Sequence, residues 1–336
     1  MSKIILGIES SCDETSAAIV ENGRKVLSNI VSSQENIHKK YFGVVPELAS
    51  REHIKNINIV IEKAFSAAGT NFNNISAISY TRGPGLAGSL LVGQVTAQTL
   101  AFLYDVPLVD VNHLEGHLYA SFIENPELKP PFLSLIVSGG HTELVIVKDF
   151  GKYKFLGGTR DDAAGEAFDK VAKLLKLSYP GGPQIDKQSK KGNSEAIAFP
   201  RPYLWGSWDF SFSGLKTAVV NFVKNNRKIN IADLCASFQQ AVIDTLKCKT
   251  FKAAEEFKMK RIVVGGGVSA NSSLRDQFLS EGKERGFDVY LPSVKYCTDN
   301  AAMIACAGYF KFIHYKNKGN DGIHRIDPGM KLKSWN

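Results

Sequence analysis

The sequence has few cysteines, and their arrangement excludes a disulfide scaffold. Its 336 residues include five cysteines, an odd number, and no two of them form a C-x-x-C pair: Cys12, Cys235, Cys248, Cys297 and Cys306. Small disulfide-bonded domains and zinc ribbons need cysteines in closely spaced pairs. We therefore expect reduced thiols and a cytoplasmic protein.

Long apolar runs are also absent. The longest one, residues 86–104, contains five hydroxyl or amide side chains and is too polar for a membrane-spanning helix. The acidic residues between Glu9 and Glu14 interrupt the first apolar run before the core of a signal peptide is complete. These features predict a protein with neither a membrane span nor a secretory segment.

Acidic residues are outnumbered by basic ones, mainly in one part of the chain. The whole sequence has 41 lysines and arginines against 33 aspartates and glutamates, a net charge of +8. Residues 176–230 have nine basic and three acidic residues, and seven aromatic residues lie between Tyr179 and Phe212. This mixture suits phosphate contacts and base stacking on single-stranded nucleic acid. The alternative is a solvated basic surface whose aromatic residues belong to the core.

Two segments of similar pattern predict two β-hairpins. Residues 3–9 and 17–20 are apolar on either side of a polar turn, and residues 131–137 and 144–147 flank a second turn of small residues. Strand and helix patterns alternate after each hairpin, which is typical of α/β domains. Helices are expected at residues 46–68, 86–104, 113–122, 162–177, 213–225, 231–257, 271–285 and 298–315, with strands at 75–80, 107–111, 261–264 and 288–291.

The repeated order of hairpin and helices indicates two similar lobes with a cleft between them. Three prolines break the pattern within residues 125–131, so we expect lobes at residues 1–128 and 129–336. Residues 178–212 are rich in glycine, proline, basic and aromatic residues, and we expect them to form an insertion in the second lobe.

Two glycine-rich turns are candidates for binding a phosphate. Residues 137–142 and 265–271 each follow a predicted strand, and glycine lets backbone N–H groups come close to an anion. The second run lies between a strand and a helix, which is the context of a nucleotide-binding loop. Neither run has the spacing of a P-loop or of a G-x-G-x-x-G fingerprint, and an ordinary tight turn is the alternative for both.

His113 and His117 are candidate metal ligands. Four residues apart on a predicted helix, they lie on one face and can reach the same ion, although most pairs at this spacing bind nothing. A zinc protease needs glutamate directly after the first histidine, where this sequence has Leu114, and Glu115 points elsewhere. A carboxylate such as Asp299 can complete a set of two histidines and one carboxylate. The alternative for Asp299 is the N-cap of the last predicted helix.

Asp13 and Glu14 lie at the tip of the first predicted hairpin. Carboxylates in this position can act as general bases, orient other groups of a site or be solvated turn residues. The sequence leaves these three alternatives open.

Several motifs occur together in a fixed order. They are E-S-S-C-D-E-T at 9–15, V-V-P-E at 44–47, S-R at 50–51, R-G-P-G-L at 82–86, N-H-L-E-G-H at 112–117, V-S-G-G-H-T at 137–142, F-S-G-L-K-T at 212–217 and D-N-A-A at 299–302. In these motifs the chain resembles the bacterial and organellar TsaD family of tRNA threonylcarbamoyladenosine transferases, over residues 5–308. One departure is Phe42, which stands beside Gly43 where the family pattern has a small residue.

The resemblance implies an α/β fold like that of actin, Hsp70 and sugar kinases (the ASKHA fold), with two duplicated lobes and a nucleotide cleft between them. It implies one divalent metal ion on His113, His117 and Asp299, usually iron as Fe2+, with zinc or magnesium as alternatives. It also implies a set of substrate contacts at Ile136, Val137, Ser138, Gly139, Gly140, Asp169, Gly182, Asp186 and Asn271.

The implied reaction transfers the threonylcarbamoyl group of threonylcarbamoyl-AMP to the exocyclic amine of adenosine 37, in tRNAs that read codons beginning with adenine. AMP leaves, and Asp13, Glu14 or His141 is the candidate acceptor of the amine proton. The anticodon loop of the tRNA is expected on basic surface, first of all at residues 176–230. The other implied partners are a paralogous TsaB-type subunit, a TsaE-type ATPase and a separate enzyme that makes the adenylate, with neither membrane nor DNA.

Three other functions compete with this interpretation. The first is an ATP-dependent small-molecule kinase of the same fold, which would not need His113 and His117. The second is a non-catalytic, ATP-dependent scaffold in a tRNA-modifying assembly. The third is a metalloprotease, which the position of Glu115 disfavours.

Overall fold

The computed structural model describes residues 2–316, 318–319 and 324–335. The chain divides into two compact units. Unit 1 comprises Met1–Leu128, Phe150–Lys152 and Pro292–Asn336, and unit 2 comprises Lys129–Asp149 and Tyr153–Leu291. Within the described ranges, no helix is both long and apolar enough to span a membrane.

Strands and helices alternate through most of the chain. The strands are β1 (Ile4–Glu9), β2 (Glu14–Glu21), β3 (Lys25–Ser33), β4 (Ala77–Gly83), β5 (Leu108–Asn112), β6 (Phe132–Val137), β7 (Thr142–Asp149), β8 (Lys152–Gly158), β9 (Arg261–Gly265) and β10 (Asp288–Tyr290). The helices are α1 (Glu35–His38), α2 (Pro46–Ala68), α3 (Ala87–Tyr104), α4 (His113–Tyr119), α5 (Ala164–Leu174), α6 (Gly181–Ser189), α7 (Ser213–Asn225), α8 (Ile231–Glu256), α9 (Ser272–Glu284) and α10 (Ala301–His314).

The sheet of unit 1 has the strand order β3-β2-β1-β4-β5. Its first three strands are antiparallel neighbours, whereas β1, β4 and β5 run parallel. Alternate side chains of a strand point to opposite faces. Leu6 and Ile8 of β1 join a cluster with Ile57 of α2 and Ala97 of α3, while Gly7 lies against α10. The sheet therefore separates α2 and α3 from α10.

The predicted second lobe, residues 129–336, needs a correction because its last part, which contains α10, belongs to unit 1. Ten residues of α10 are buried, and the helix packs on β1, β2 and β4 of unit 1. The approach to β1 is so close that a β-carbon on Gly7 would lie 2.9 Å from the backbone nitrogen of Ala305. The chain from Pro292 onward thus belongs to the core of unit 1, although it is far from that unit in sequence.

The sheet of unit 2 has the strand order β10-β9-β6-β7-β8. β6 and β7 form an antiparallel hairpin, and β9 runs parallel to both β6 and β10. The core packs α5 and α8 together, with the rings of Phe168 and Phe238 in edge contact at 5.3 Å. Three aromatic residues of the predicted insertion belong to this core: Phe199, Phe210 and Phe212. For these three aromatic residues, the alternative that they belong to the core and do not stack on nucleic acid is correct.

The sequence predicted the two hairpins and most helices, but it missed four elements, one of which is the single-turn helix α1. The pairs β1–β2 and β6–β7 confirm both hairpins, and α2 and α7 have the predicted bounds. β3 and β8 were missed because their residues are mostly exposed or half-buried, which weakens the apolar alternation. α6 was missed because it begins with Gly-Gly-Pro, a combination typical of turns.

Phe42 departs from the family pattern at a strained position. It ends the 3-10 turn Lys39–Tyr41 with a left-handed backbone, at φ 55°. Glycine adopts this conformation without steric cost, whereas a β-carbon is crowded there. This is the physical reason for the small residue that the family pattern has at this place.

We expect Gly7→Ala to destabilise unit 1 by about 1–3 kcal/mol, because the added methyl group overpacks the contact with α10. The free energy of unfolding in urea, followed by circular dichroism, measures this effect. Gly214→Ala is the matched control, since a β-carbon there meets no atom of the described chain within 4 Å and alanine is the better helix former. Equal stabilities of the two variants would contradict the packing argument.

Candidate functional site

Helix α4 carries two of the predicted metal ligands, and its start is fixed by a capping box. The Asn112 side chain accepts a hydrogen bond from Leu114 N at 2.8 Å, and Glu115 accepts one from Asn112 N at 3.4 Å. The indole N–H of Trp335 also donates to the Glu115 carboxylate. Glu115 therefore holds the helix start, which is a role that the sequence did not reveal.

Helix α4 also packs very closely on α10. A β-carbon on Gly116 would lie 2.8 Å from Cδ1 of Ile304 and 3.1 Å from Cγ of Met303. The glycine between the two histidines thus serves helix packing. At the start of α10 the N-cap is Asn300, whose side chain accepts from Met303 N at 3.1 Å. The alternative of Asp299 as the N-cap is therefore wrong.

The two histidines and Asp299 come together in unit 1. One ligand atom from each of His113, His117 and Asp299 lies within 4.8 Å of the others. Oδ1 of Asp299 is 3.4 Å from Nε2 of His113 and 3.3 Å from Nε2 of His117. Both ring nitrogens of the fully buried His117 lack a hydrogen-bond partner in the described part of the chain. A buried imidazole with unsatisfied nitrogens fits a metal ligand, because ligation satisfies the lone pair.

Glu9, at the end of β1, orients His113. Its Oε2 lies 3.1 Å from Nδ1 of His113 and accepts a hydrogen bond from Thr81 Oγ1 at 2.7 Å. Its Oε1 accepts from Ser11 N at 2.5 Å. A carboxylate on one ring nitrogen leaves the other nitrogen free for a metal. Sequence reasoning missed Glu9 as a site residue, although a buried carboxylate ending an apolar strand was a signal.

The carboxylates and imidazoles shift each other's pKa values. Burial alone would lower the pKa of His113, but Asp299 and Glu9 raise it well above its usual value. Burial alone would raise the pKa of Asp299, but the two histidines hold it far below the usual range. The pKa of His117 is lowered, first of all by burial. Without a metal, the cluster therefore holds its proton on His113.

Asp13 and Glu14 lie at the turn between β1 and β2, and Glu14 has the more unusual environment. Burial raises the pKa of Glu14 well above its usual value, and the neighbouring Asp13 and Asp299 raise it further. Its Oε1 is 3.5 Å from the hydroxyl of Ser33. The backbone carbonyl of Asp13 accepts from Gln34 N at 3.0 Å, which fixes the turn. Glu14 is thus a carboxyl group with raised proton affinity beside the metal ligands.

The third proton-acceptor candidate, His141, lies in unit 2, in the turn between β6 and β7. Its backbone N–H donates to Ser138 Oγ at 3.2 Å, and its carbonyl accepts from Ser138 N at 2.8 Å. A β-carbon on Gly139 or Gly140 would meet no described atom within 4 Å. The tip of this hairpin is therefore rigid, and its glycines face open space.

The remaining predicted substrate contacts surround the carboxyl ends of β6 and β9. These strands are parallel neighbours, and ligands of α/β sheets bind at this end of the strands. Asp169 accepts a hydrogen bond from Gly181 N at 2.7 Å, and Asp186 accepts one from Ser272 Oγ at 2.9 Å. Asn271 caps α9. β-carbons on Gly182 and Gly267 would also meet nothing described within 4 Å.

The connections between these loops hold the turn of residues 137–141 in place. Gly165 N, at the start of α5, donates to the carbonyl of Ser138 at 3.1 Å. Gly266 has φ 94°, and a β-carbon there would lie 2.7 Å from the carbonyl carbon of Val137. Ile136 and Val137, which complete the predicted contact set, are the buried end of β6. Unit 2 thus offers backbone N–H groups and open glycines, which suit a phosphate.

The raised pKa of His113 predicts that metal binding releases a proton at neutral pH. Below the usual histidine pKa the ring is protonated and competes with the ion, and the competition disappears only as pH rises through the raised value. Calorimetric titration with Zn2+ in two buffers of different ionisation enthalpy at pH 7 should give about one proton per ion. Glu9→Gln removes one of the two carboxylates that raise the pKa of His113. This variant should therefore release fewer protons per bound ion. Proton release equal in both proteins would contradict this assignment.

Comparisons with known proteins match nearly the whole chain to one family. The family model described as "tRNA N6-adenosine threonylcarbamoyltransferase" (TsaD) matches residues 25–306. A protein of the same description from Endomicrobium trichonymphae is 59% identical over 338 residues, covering 98% of this chain and 99% of the relative. Another from Clostridioides difficile (strain 630) is 54% identical, covering 99% of both.

Solved structures of low sequence identity support the fold alone. HypF of T. kodakarensis superposes with a TM-score of 0.64 at 14% identity, over 94% of this chain and 48% of that one. The activator of 2-hydroxyisocaproyl-CoA dehydratase from Clostridium difficile superposes with a TM-score of 0.54 at 14% identity, over 95% of this chain and 100% of that one. The predicted α/β fold of the actin, Hsp70 and sugar-kinase class is confirmed. Together with the family match, these similarities lead to one conclusion: the chain belongs to the TsaD family of tRNA N6-adenosine threonylcarbamoyltransferases.

Proposed function

We propose that this protein transfers the threonylcarbamoyl group of threonylcarbamoyl-AMP to the exocyclic amine of adenosine 37 in tRNAs that read codons beginning with adenine. A bond forms between the amine nitrogen and the carbamoyl carbon, the bond from that carbon to the phosphate oxygen breaks, and AMP leaves. The amine also loses one proton. The observation that carries the proposal is the cluster of the buried His113 and His117 with the half-buried Asp299, in a chain with this family match.

The ligand set suits one divalent ion, and we propose iron as Fe2+. Two imidazoles and one carboxylate are typical of non-haem iron sites, and they also accept zinc. Magnesium prefers oxygen ligands and fits this set less well. When bound, such an ion would act as a Lewis acid on the oxygens of the threonylcarbamoyl group. His113, His117 and Asp299 hold the ion, and Glu9 keeps Nε2 of His113 available for it.

In unit 2, we propose that the adenylate is held by the residues around the ends of β6 and β9. Backbone N–H groups of Gly139 and Gly140 donate to its phosphate, while the N–H of Ser138 closes the turn on the carbonyl of His141. Gly182 leaves room for the nucleotide, since a β-carbon there would point into open space. Ile136, Val137, Asp169, Asp186 and Asn271 shape this pocket from the strand end and the adjoining helices.

We propose Glu14 as the acceptor of the amine proton. A general base works best when its pKa is close to the working pH, and burial raises the pKa of Glu14 in that direction. Asp13 shares the same turn and supports Glu14 by its negative charge. His141 is the weaker candidate because its backbone serves to close the turn in unit 2.

The proposed partners are the tRNA, a paralogous TsaB-type subunit, a TsaE-type ATPase and the enzyme that supplies the adenylate. An exposed apolar surface in unit 1 supports the paralogous subunit. Leu91, Val95 and Phe102 lie on one face of α3 and are at least half exposed, and Ile54 and Ile59 of α2 are exposed as well. Exposed apolar residues grouped on one helix face, like the three of α3, are typical of protein interfaces.

We expect Glu14→Gln to lower kcat at least about 100-fold, because the neutral amide cannot take the amine proton. The measurement is mass spectrometry of modified adenosine, with threonylcarbamoyl-AMP, a divalent metal, unmodified tRNA and the partner proteins. Bound metal should stay unchanged in this variant. His117→Ala should lose turnover and metal together, while His314→Ala, which changes an exposed histidine, should lose neither. The absence of product from the wild-type protein with active partners would refute the proposed function.

The apolar surface on α2 and α3 gives a separate prediction. Val95→Glu should abolish association with the paralogous subunit, because a charge buried in an apolar interface is costly. Analytical ultracentrifugation of the mixed proteins measures this. Phe155→Glu, at an exposed aromatic residue in unit 2, is the control and should associate normally. Association of both variants would contradict this location of the interface.

A further inference from the structure

A small surface cavity in unit 2 contains an unusually exposed tryptophan. The cavity has a volume of about 190 Å³ and lies between the carboxyl-terminal half of α8 and residues 203–208. Its wall includes Tyr203, Trp205, Cys248 and Lys252. Trp205 is 71% exposed, whereas tryptophan is on average among the more buried residues. The exposure of this indole is therefore a feature that core packing does not explain.

The loop that presents Trp205 is held by a buried lysine. The Lys249 side chain extends from α8, and its Nζ donates to the carbonyl of Leu204 at 3.0 Å and to that of Ser207 at 2.6 Å. The residue is only 5% exposed, and burial lowers the pKa of its ammonium group. Because both sides of the short turn are bonded to one ammonium group, the backbone that carries the indole is held in place. A pre-ordered aromatic side chain loses little entropy when it binds a partner.

The charges around the indole are mainly positive. Nζ of Lys252 lies 5.3 Å from the centre of the Trp205 ring, and the ring of Tyr203 is 5.4 Å away. Two nearby carboxylates are already neutralised by arginines, Asp209 by Arg160 and Asp244 by Arg201. Of the cavity lining, Glu256 is the acidic member.

The segment that contains Trp205 carries an excess of positive charge along its length. Within residues 176–230, basic residues exceed acidic ones by six. Several of the basic side chains are exposed and belong to no ion pair among the described residues: Lys176, Lys187, Lys191, Lys224, Arg227 and Lys228. At the cavity itself, Lys252 places a positive charge beside the exposed aromatic face of Trp205, and this combination binds unpaired nucleotides.

We propose that Trp205 and Lys252 form a binding site for an unpaired nucleotide of the RNA substrate. The base stacks on the indole, and its phosphate pairs with the ammonium group of Lys252. The buried Lys249 keeps the stacking surface in place and does not contact the RNA. This inference rests on the proposed function, because that function identifies the RNA as tRNA. The sequence predicted RNA contacts anywhere in residues 176–230. The inference names Trp205 as the residue of this segment that stacks on a base.

Affinity for unmodified tRNA tests the site directly. Trp205→Ala should weaken binding about tenfold, in the range measured for loss of one base–aromatic stack, and Trp205→Phe should retain most of the affinity. Lys252→Ala should weaken binding and reduce the slope of log K against log salt by about 0.7, the value for one phosphate of a single strand. Phe155→Ala, which removes an exposed aromatic residue outside the cavity, should bind like the wild type.

Alkylation of Cys248 gives an independent readout, because this thiol lines the cavity. Mass spectrometry after treatment with iodoacetamide should show slower modification of Cys248 when tRNA is present. In Trp205→Ala the protection should decrease, since the nucleotide no longer occupies the cavity. Unchanged tRNA affinity in a folded Trp205→Ala protein would overturn the proposal. So would loss of a protein partner without a change in tRNA affinity, which would identify the cavity as a protein-binding site.

Turnover separates this inference from the proposed function. If both are correct, Trp205→Ala should raise KM for tRNA about tenfold and leave kcat unchanged at saturating tRNA. If the wild-type protein binds tRNA through Trp205 but forms no threonylcarbamoyladenosine, the proposed function fails and the nucleotide site stands. Normal turnover with an unchanged KM in Trp205→Ala would refute the site and leave the transferase function intact.

Discussion

The proposed metal centre depends on the close packing of α4 against α10. Gly116 permits this packing, because a β-carbon there would lie 2.8 Å from the side chain of Ile304. The carboxylate of Asp299, just before α10, then lies within 3.4 Å of a ring nitrogen of both His113 and His117. Neither helix provides a complete ligand set by itself. The centre therefore exists only when the end of the chain has packed into unit 1.

Burial of this cluster determines its chemistry. Moving imidazoles and carboxylates out of water is costly unless opposite charges and hydrogen bonds compensate. His113 contacts two carboxylates and holds its proton strongly, whereas His117 is fully buried and its pKa is lowered. Glu9 is in turn satisfied by Ser11 N and the hydroxyl of Thr81. The same burial gives Glu14 its raised proton affinity. Burial thus shifts the pKa values both of the proposed metal ligands and of Glu14, the proposed proton acceptor.

The two units carry similar hairpins with chemically different tips. The turn between β1 and β2 bears two acidic side chains, Asp13 and Glu14, which do not suit a phosphate. The turn between β6 and β7 bears Gly139 and Gly140, which carry no charge and expose backbone N–H groups. The two hairpins therefore suit the different roles proposed above. Unit 1 would hold the metal ion and accept the proton, and unit 2 would bind the anion. The fixed loop around Trp205 adds a stacking surface to unit 2, away from the glycine turns in sequence.

The sequence by itself predicted the fold class, both hairpins and most helices, because apolar periodicity and short motifs are local or family-specific signals. It also named His113, His117 and Asp299 as candidate metal ligands, and the fold brings these three residues together. It did not reveal Glu9 or the place of residues 292–336 in unit 1, since these depend on contacts between residues far apart in the chain. The capping role of Glu115, three residues after Asn112, was a local signal that sequence reasoning missed. Nor did composition distinguish the exposed Trp205 from the buried Phe199, Phe210 and Phe212. Only the tertiary structure decided which aromatic residues are covered, because burial is a property of the folded surface and not of the residue type.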